Sequence, residues 1–452
     1  MADSKYLLTD EQMQHFIVNG YINIKTDLPA DFHEAIFQQT EAVFEEEGNP
    51  GNNLIPRIPD IQEIFDHPVV DGVLTGLVGP NYYTHPHRHC HYNPPGSSGQ
   101  RLHKDSWTRR RHPTRWVMAF YYPQDTPEVR GPTGVLPQSQ CYNDQPDNGQ
   151  QELPLAGEAG SMTIVHYDLW HRAMPNRTEM NRYMMKFLFT RMEEPQSPSW
   201  NNEETEWTPS DDGQRLMWKH LWAWHLGTGN GTGAAGNGSI PELISALRSE
   251  SESACLNAAY ALGAVGESAV SALIETLQDE SEIVRRNASY ALSVVGSPAV
   301  PVLIEAANDS NEGVRTIALD ALGDMGSTAQ EAVPTLIKRT KDESAEVRKV
   351  AAEGLGIVAQ SCSTAVPALM EGLSDTDEWV RRNSSLALAR IGSKAEEALP
   401  ALKTALKDEN RYVRANAAHT LHQIGTTEAR DILMHFLMKS RWCASTTRES
   451  GY

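Results

Sequence analysis

The chain is short of positive charge. Its 452 residues carry 39 Lys and Arg against 59 Asp and Glu, a formal charge of -20 and a pI near 5.2. Binding a phosphate backbone or an anionic lipid surface needs clustered Lys and Arg. Neither nucleic acid nor a membrane is therefore expected as a partner. Cysteine is also scarce: Cys90, Cys141, Cys255, Cys362 and Cys443 are odd in number, scattered and without CxxC spacing. That argues against a disulfide framework and suits a reducing compartment. No apolar run approaches the roughly 18 residues that cross a bilayer. The opening stretch MADSKYLLTDEQMQHF lacks the basic and apolar regions of a secretory signal. A cytoplasmic location is the expectation. The 40% hydrophobic content supports ordinary cores, and the length predicts two or three domains.

Two regions follow different rules. In the C-terminal one, DESEIVRRNASYALSVVG, DSNEGVRTIALDALGDMG, DESAEVRKVAAEGLGIVA, DTDEWVRRNSSLALARIG and DENRYVRANAAHTLHQIG align. Each sets an Asp (Asp279, Asp309, Asp342, Asp375, Asp408) ahead of a Val-Arg pair whose arginines are Arg285, Arg315, Arg348, Arg381 and Arg414. Pro241, Pro301, Pro334, Pro367 and Pro400 mark the same register upstream, with Ser271 in the remaining slot. An earlier unit, SESESACLNAAYALGAVG, places Cys255 where the arginine belongs, as terminal units of a solenoid often deviate. Each unit reads as two helices, with Pro at the first helix start and the Asp as cap of the second. The arginines are placed to form a ladder with an Asp of the adjoining unit. The pattern resembles HEAT repeats of the short type found in phycobilisome lyases, about six units over residues 239–440. The resemblance implies a protein-interaction platform and names no partner.

Before the repeats lies the glycine-rich stretch GTGNGTGAAGNG, read as a flexible linker over residues 227–238. The preceding QRLMWKHLWAWHLG reads as a helix, with Trp218 and Trp222 on one face and Trp224 nearby; that face is expected to pack on the N-terminal domain. Residues 1–226 form that domain, and 441–452 are a tail. The domain opens with a helix capped by Thr9 or Asp10 and stopped by Gly20. YINIK, RWVMAFYYP and SMTIVHYDLW then read as short strands between Pro- and Gly-rich turns, suggesting a barrel or sandwich.

THPHRHCHYNPPGSSGQRLHKDSW packs His85, His87, His89, His91 and His103 into one stretch. Oxygen-activating iron is often held by two His and one carboxylate on one face. LHKD supplies His103 and Asp105, and AGSMTIVHYDLWHRAMPNRT offers His166 or His171 as the third ligand. A cupin-like site on the His-x-His run is the rival, and it leaves the HxD pair unexplained.

LTDEQMQHFIVNGYINI, NPPGSSGQRLHKD, GPTGVLPQSQCY, AGSMTIVHYDLWHRAMPNRT and RYMMKFLFTR occur in the order found in the phytanoyl-CoA dioxygenase family, which the region resembles. The resemblance implies a jelly-roll (double-stranded β-helix, cupin-like) domain with flanking helices. It also implies Fe(II), 2-oxoglutarate and O2 as requirements, and hydroxylation with release of succinate and CO2. The WHxxxxN pattern makes His171 the distal ligand beside His103 and Asp105. Arg182 becomes the cosubstrate arginine, and His89 and Phe120 fall on positions near the cosubstrate. An intact Asp105 favours hydroxylation, because related halogenases carry a small residue there. Ala173 and Lys104 depart from the family's usual residues, and Lys104 is expected to face solvent. Trp107 and Arg109 to Arg111 are candidate substrate contacts. The substrate is either a small molecule or a group on a protein. The alternative is a HEAT scaffold with a degenerate oxygenase domain.

Overall fold

The computed structural model describes residues 2–106, 112–146, 149–210, 214–229, 238–360 and 362–439. Trp107, Arg109 to Arg111, most of the glycine-rich stretch, Cys443 and the 441–452 tail lie outside the described residues. The chain forms two compact units. The first runs to Met192 and takes in Pro198–Thr205; the second holds Glu193–Ser197 and the described residues from Glu206 onward.

The first unit opens with α1 (Asp10–Asn19). Thr9, rather than Asp10, is its cap: Thr9 and Gln12 bond each other's backbone N–H, and Gly20 ends the helix at φ +76°. A five-stranded antiparallel sheet follows, built from β1 (Tyr21–Ile24), β2 (Tyr83–Asn93), β3 (Trp116–Tyr121), β6 (Met162–His166) and β8 (Arg182–Thr190) in the order β1-β6-β3-β8-β2. Facing it is a three-stranded sheet of β4 (Thr133–Val135), β5 (Leu153–Pro154) and β7 (His171–Ala173), in the order β5-β4-β7. Together they make the expected jelly roll.

Side chains alternate along each strand. Met118, Phe120, Val165, Met184 and Leu188 point between the sheets and meet Val135, Leu155 and Leu169 there. The opposite face of the large sheet is covered by α2 (Ala30–Glu46), α3 (Leu54–Arg57), α4 (Ile61–Phe65) and α5 (Pro68–Val78). There Phe65 stacks on Phe187 at 3.9 Å, Phe44 meets Tyr183 at 4.9 Å, and His33 Nδ1 lies 2.8 Å from the Tyr121 hydroxyl. Strand β8 is thus covered on both faces, which explains its unbroken burial.

The second unit begins with α6 (Arg215–His225), then α7 (Ile240–Ala246) and α8 (Glu252–Val265), the first helix pair of the repeats. Helix α6 belongs with the repeats: His220 packs edge-on against Tyr260 of α8 at 5.6 Å, and Gln214 donates to Ser253 at 2.9 Å. Trp218 and Trp222 are buried, and Trp222 meets Trp207 edge-on at 5.7 Å.

The prolines take the first turn of the first helices, as expected. The repeated Asp does not cap the second helix. Its carboxylate accepts the N–H two residues on, as from Asp279 to Ser281 and Asp375 to Asp377 at 2.8 and 2.9 Å, and so closes the turn. The cap is that next residue, Ser281, Asn311, Ser344, Asp377 or Asn410. The arginine ladder forms from Arg315 onward, as Arg315–Asp342 at 3.0 Å, Arg348–Asp375 at 2.7 Å and Arg381–Asp408 at 2.8 Å; Arg285 instead donates to the carbonyls of Asp279 and Glu280, and Gln278 donates to Asp309. Cys255 substitutes locally for its arginine, its thiol donating to the carbonyls of Leu247 and Ser249 at 3.4 and 3.3 Å.

Candidate metal and cosubstrate site

The loop after β2 meets the start of β7 in one antiparallel bridge. His103 N–H donates to the His171 carbonyl and His171 N–H to the His103 carbonyl, both at 2.9 Å. This sets the two imidazoles side by side, their centroids 4.7 Å apart. Asp105 follows two residues after His103 and turns the same way. Its carboxylate lies 3.9 Å from His103 Nε2 and 3.6 Å from His171 Nε2. One ligand atom from each of His103, Asp105 and His171 falls within 4.8 Å of the others.

The donor chemistry suits a divalent metal. His103 Nδ1 is 2.9 Å from the Arg101 carbonyl and His171 Nδ1 is 2.9 Å from the Leu169 carbonyl. A carbonyl accepts only, so each Nδ1 carries the proton and each Nε2 lone pair faces the carboxylate. Burial pushes His171 down to about 4 against the pull of Asp105, which keeps the imidazole neutral at ordinary pH. Burial also works against the Asp105 charge. The Lys186 ammonium, 2.7 Å away, outweighs it and holds the carboxyl well below its usual range. Phe120 is fully buried and packs on the His171 ring at 5.5 Å. The Tyr167 hydroxyl donates to the Asp105 carbonyl at 3.1 Å.

His166 is turned away. It sits on the opposite face of β6, its ring 6.5 Å from Phe16 of α1. Of the two candidates, only His171 joins the cluster. The His-x-His run lies on β2, where His89 pairs across to Lys186, His91 to Met184 and Asn93 to Arg182. Cross-strand partners share a face. His89 and Phe120 therefore flank Lys186 on the inner surface, one on each neighbouring strand. No His-x-His trio forms a metal-holding cluster among the described residues. His85 packs on Trp116 at 5.2 Å. Lys104 does not face solvent as expected: its ammonium donates to the Tyr142 carbonyl at 3.3 Å and lies 5.5 Å over the Trp170 ring.

Arg182 starts β8 on the inner face and is 1% exposed. Its Nε donates to the Gly131 carbonyl at 2.8 Å and its Nη1 to the His91 carbonyl at 3.2 Å. No carboxylate partners it among the described residues, so this buried guanidinium is held by carbonyls and left short of an anion. Gly131 supplies that carbonyl from a φ of +68°, where an added Cβ would lie 2.5 Å from Asn93 Nδ2 and 2.6 Å from the Met174 carbonyl. Asn93 and Asn176 tie the same corner together. Asn93 donates to the carbonyls of Gly131 and Met174, and Asn176 donates to those of Asn93 and Met180. The asparagine of the WHxxxxN pattern thus fixes the turn that delivers Arg182.

Lys186 was absent from the sequence expectations. The available signal was a lone cation in the apolar run MMKFLF, four residues after Arg182 and hence on the same strand face.

A jelly roll with a His-carboxylate-His cluster at one end of its sandwich defines a class, the metal-dependent oxygenases built on this fold. The family comparison agrees: residues 18–184 match the phytanoyl-CoA dioxygenase (PhyH) model, and overlapping segments from 240 to 443 match the model for HEAT repeats. The chain joins a phytanoyl-CoA dioxygenase family domain to a run of HEAT repeats. With the family comes the class of enzyme, a non-haem iron, 2-oxoglutarate-dependent oxygenase using Fe(II), 2-oxoglutarate and O2. Among solved structures, the chain is similar to the non-heme alpha ketoglutarate dependent carbocyclase SnoK from nogalamycin biosynthesis (16% identity over 43% of this chain and 88% of that one, TM-score 0.36). It is also similar to the epimerase SnoN from nogalamycin biosynthesis (15%, 41% and 83%, TM-score 0.35) and to AviO1 from Streptomyces viridochromogenes Tue57 (12%, 42% and 96%, TM-score 0.34). No curated protein matches the chain. No described helix is long and apolar enough to cross a membrane.

Proposed function

We propose that the first unit holds Fe(II) through His103 Nε2, Asp105 and His171 Nε2, anchors 2-oxoglutarate through Arg182, and hydroxylates an organic substrate. One arrangement carries the reading: a His-carboxylate-His cluster, reached by Lys186 of β8, accompanies a buried arginine on the same face of that strand that has no acid partner among the described residues. The bound iron supplies the oxidising chemistry that couples O2 and 2-oxoglutarate to hydroxylation, with succinate and CO2 as products.

The chain's own residues do the rest. The two carbonyl-bonded imidazoles present fixed lone pairs. Asp105 fills the third protein position as a carboxylate, which favours hydroxylation over halide transfer. Arg182 offers a planar fork suited to a carboxylate. His89 and Phe120 line the surface beside Lys186; Phe120 braces the His171 ring, and His89 faces the cosubstrate. The HEAT repeats serve as a platform for a protein partner, and the substrate is a small molecule or a group carried by that protein.

The test is succinate formation from 2-oxoglutarate in air with Fe(II), followed by NMR, for wild type, His171→Ala and Arg182→Ala. Wild type should form succinate above both variants. Equal, background-level formation in all three would count against the reading.

A further inference from the structure

Lys186 is 3% exposed, and an ammonium has three N–H bonds to place. Among the described residues its one hydrogen-bond partner is Asp105 Oδ2 at 2.7 Å, so two donors of a buried cation have no acceptor. A purely structural lysine at such a depth is costly unless its donors are satisfied. A second orphan stands beside it. His91 Nε2 is buried without a hydrogen-bond partner, on the same inner face, one cross-strand pair nearer Arg182. Arg182, with Nε and Nη1 spent on carbonyls, keeps Nη2 without a partner among the described residues. The three groups form a row. Arg182 and Lys186 lie four residues apart on β8, about 13 Å of strand, and His91 falls between them by register. Lys186 marks the metal end, because it touches the Asp105 carboxylate.

We infer that this row is a three-point cradle for the cosubstrate: Lys186 donates to the 2-oxo acid end at the metal, and His91 and Arg182 both donate to the far carboxylate. The inference rests on the reading that this pocket binds Fe(II) and 2-oxoglutarate. It gives Lys186 a role beyond steadying Asp105. With Asp105 neutralising Lys186, the protein itself offers the metal no net charge from this pair, and the cation's remaining donors are left for an incoming anion.

Two probes separate the ends. Pyruvate shares the 2-oxo acid end of 2-oxoglutarate and lacks the far carboxylate. Binding of each to the anaerobic full-length protein, saturated with Fe(II), is followed by visible absorption. Arg182→Met should weaken 2-oxoglutarate and leave pyruvate near its wild-type affinity. Lys186→Met should weaken both, by about tenfold to a hundredfold, the range of a charged hydrogen bond. His91→Phe should weaken 2-oxoglutarate by about threefold to tenfold. If Lys186→Met does not fold, Lys186→Gln, which keeps a donor to Asp105 and removes the charge, carries the same expectation. Fe(II) affinity is measured alongside. A lysine that only steadies Asp105 would change Fe(II) affinity and leave both probes unmoved at saturating metal, and that result overturns the inference alone. Wild type that binds neither probe overturns the inference together with the reading beneath it.

Discussion

Removing the Asp105 carboxylate should destabilise the metal-free protein, and the reason lies in Lys186. In Asp105→Ala the Lys186 side chain, 3% exposed, loses its one hydrogen-bond partner among the described residues. Breaking a buried pair by deleting one partner costs about 3–5 kcal/mol. Asp105 keeps 19% side-chain exposure, so water reaches the vacated spot and the lower end, about 3 kcal/mol, is expected. Replacing both groups, Asp105→Ala with Lys186→Met, removes the stranded charge and should return most of that loss. The double variant would then be more stable than the single one while still failing to bind metal. Because the chain has two compact units, one unfolding midpoint is a poor measure. Amide hydrogen exchange read on β8 peptides localises the effect. About 3 kcal/mol corresponds to exchange roughly a hundredfold faster in Asp105→Ala. An Asp105→Ala protein exchanging at the wild-type rate, or a double variant no better than the single, would refute the claim that Lys186 is buried and bound to this carboxylate.

Gly131→Ala forces a side chain onto a backbone at φ +68° and against Asn93, displacing the carbonyl that holds Arg182 Nε. The expected result is at least about tenfold weaker 2-oxoglutarate binding with Fe(II) affinity kept, as measured by anaerobic titration. In the repeat unit, burial pushes His220 down to about 4. The folded state then binds fewer protons than the unfolded one, so the stability this histidine contributes is full above about pH 6.5 and is lost as pH falls toward 4. Urea midpoints from the tryptophans of that unit should drop between pH 7 and 5 by the equivalent of about 1–2 kcal/mol, and His220→Gln should flatten the slope. A chain cut at residue 226 leaves α6 without α8, the helix on which its His220 packs. It should aggregate more than one cut after Thr205, by light scattering at matched concentration.

Much of the fold was legible because period and punctuation agree. The Val-Arg register, the prolines and Thr9 with Gly20 each act locally, and local rules survive folding. The repeated Asp was misread because turn closure and helix capping both call for a short acidic side chain; the two-residue offset to Ser281 or Asp377 is what separates them. The Trp stripe of α6 announced burial, and Trp218 and Trp222 are buried. The helices of 30–78 went unread, although Ile36 and Thr40 are spaced as a buried face and Pro68 opens a helix. At the site, HxD and the WHxxxxN histidine were readable as motifs, while the choice of His171 over His166 needed a family pattern. The geometric ground for it is that His166 and Val165 are strand neighbours, so one must face α1 when the other faces the core. Lys186 was missed because its meaning is relational: a lone lysine in an apolar strand gains one only when Asp105 arrives from another part of the chain.

The central claim is that His103, Asp105 and His171 hold Fe(II) for 2-oxoglutarate. The direct measurement is anaerobic visible absorption of the full-length protein titrated with Fe(II) and then 2-oxoglutarate, with His171→Ala beside it. A weak charge-transfer band in wild type that is absent from His171→Ala is the predicted result. Well-folded wild type with no band, or the same band in His171→Ala, would contradict the account and leave the repeats as the working part of the protein.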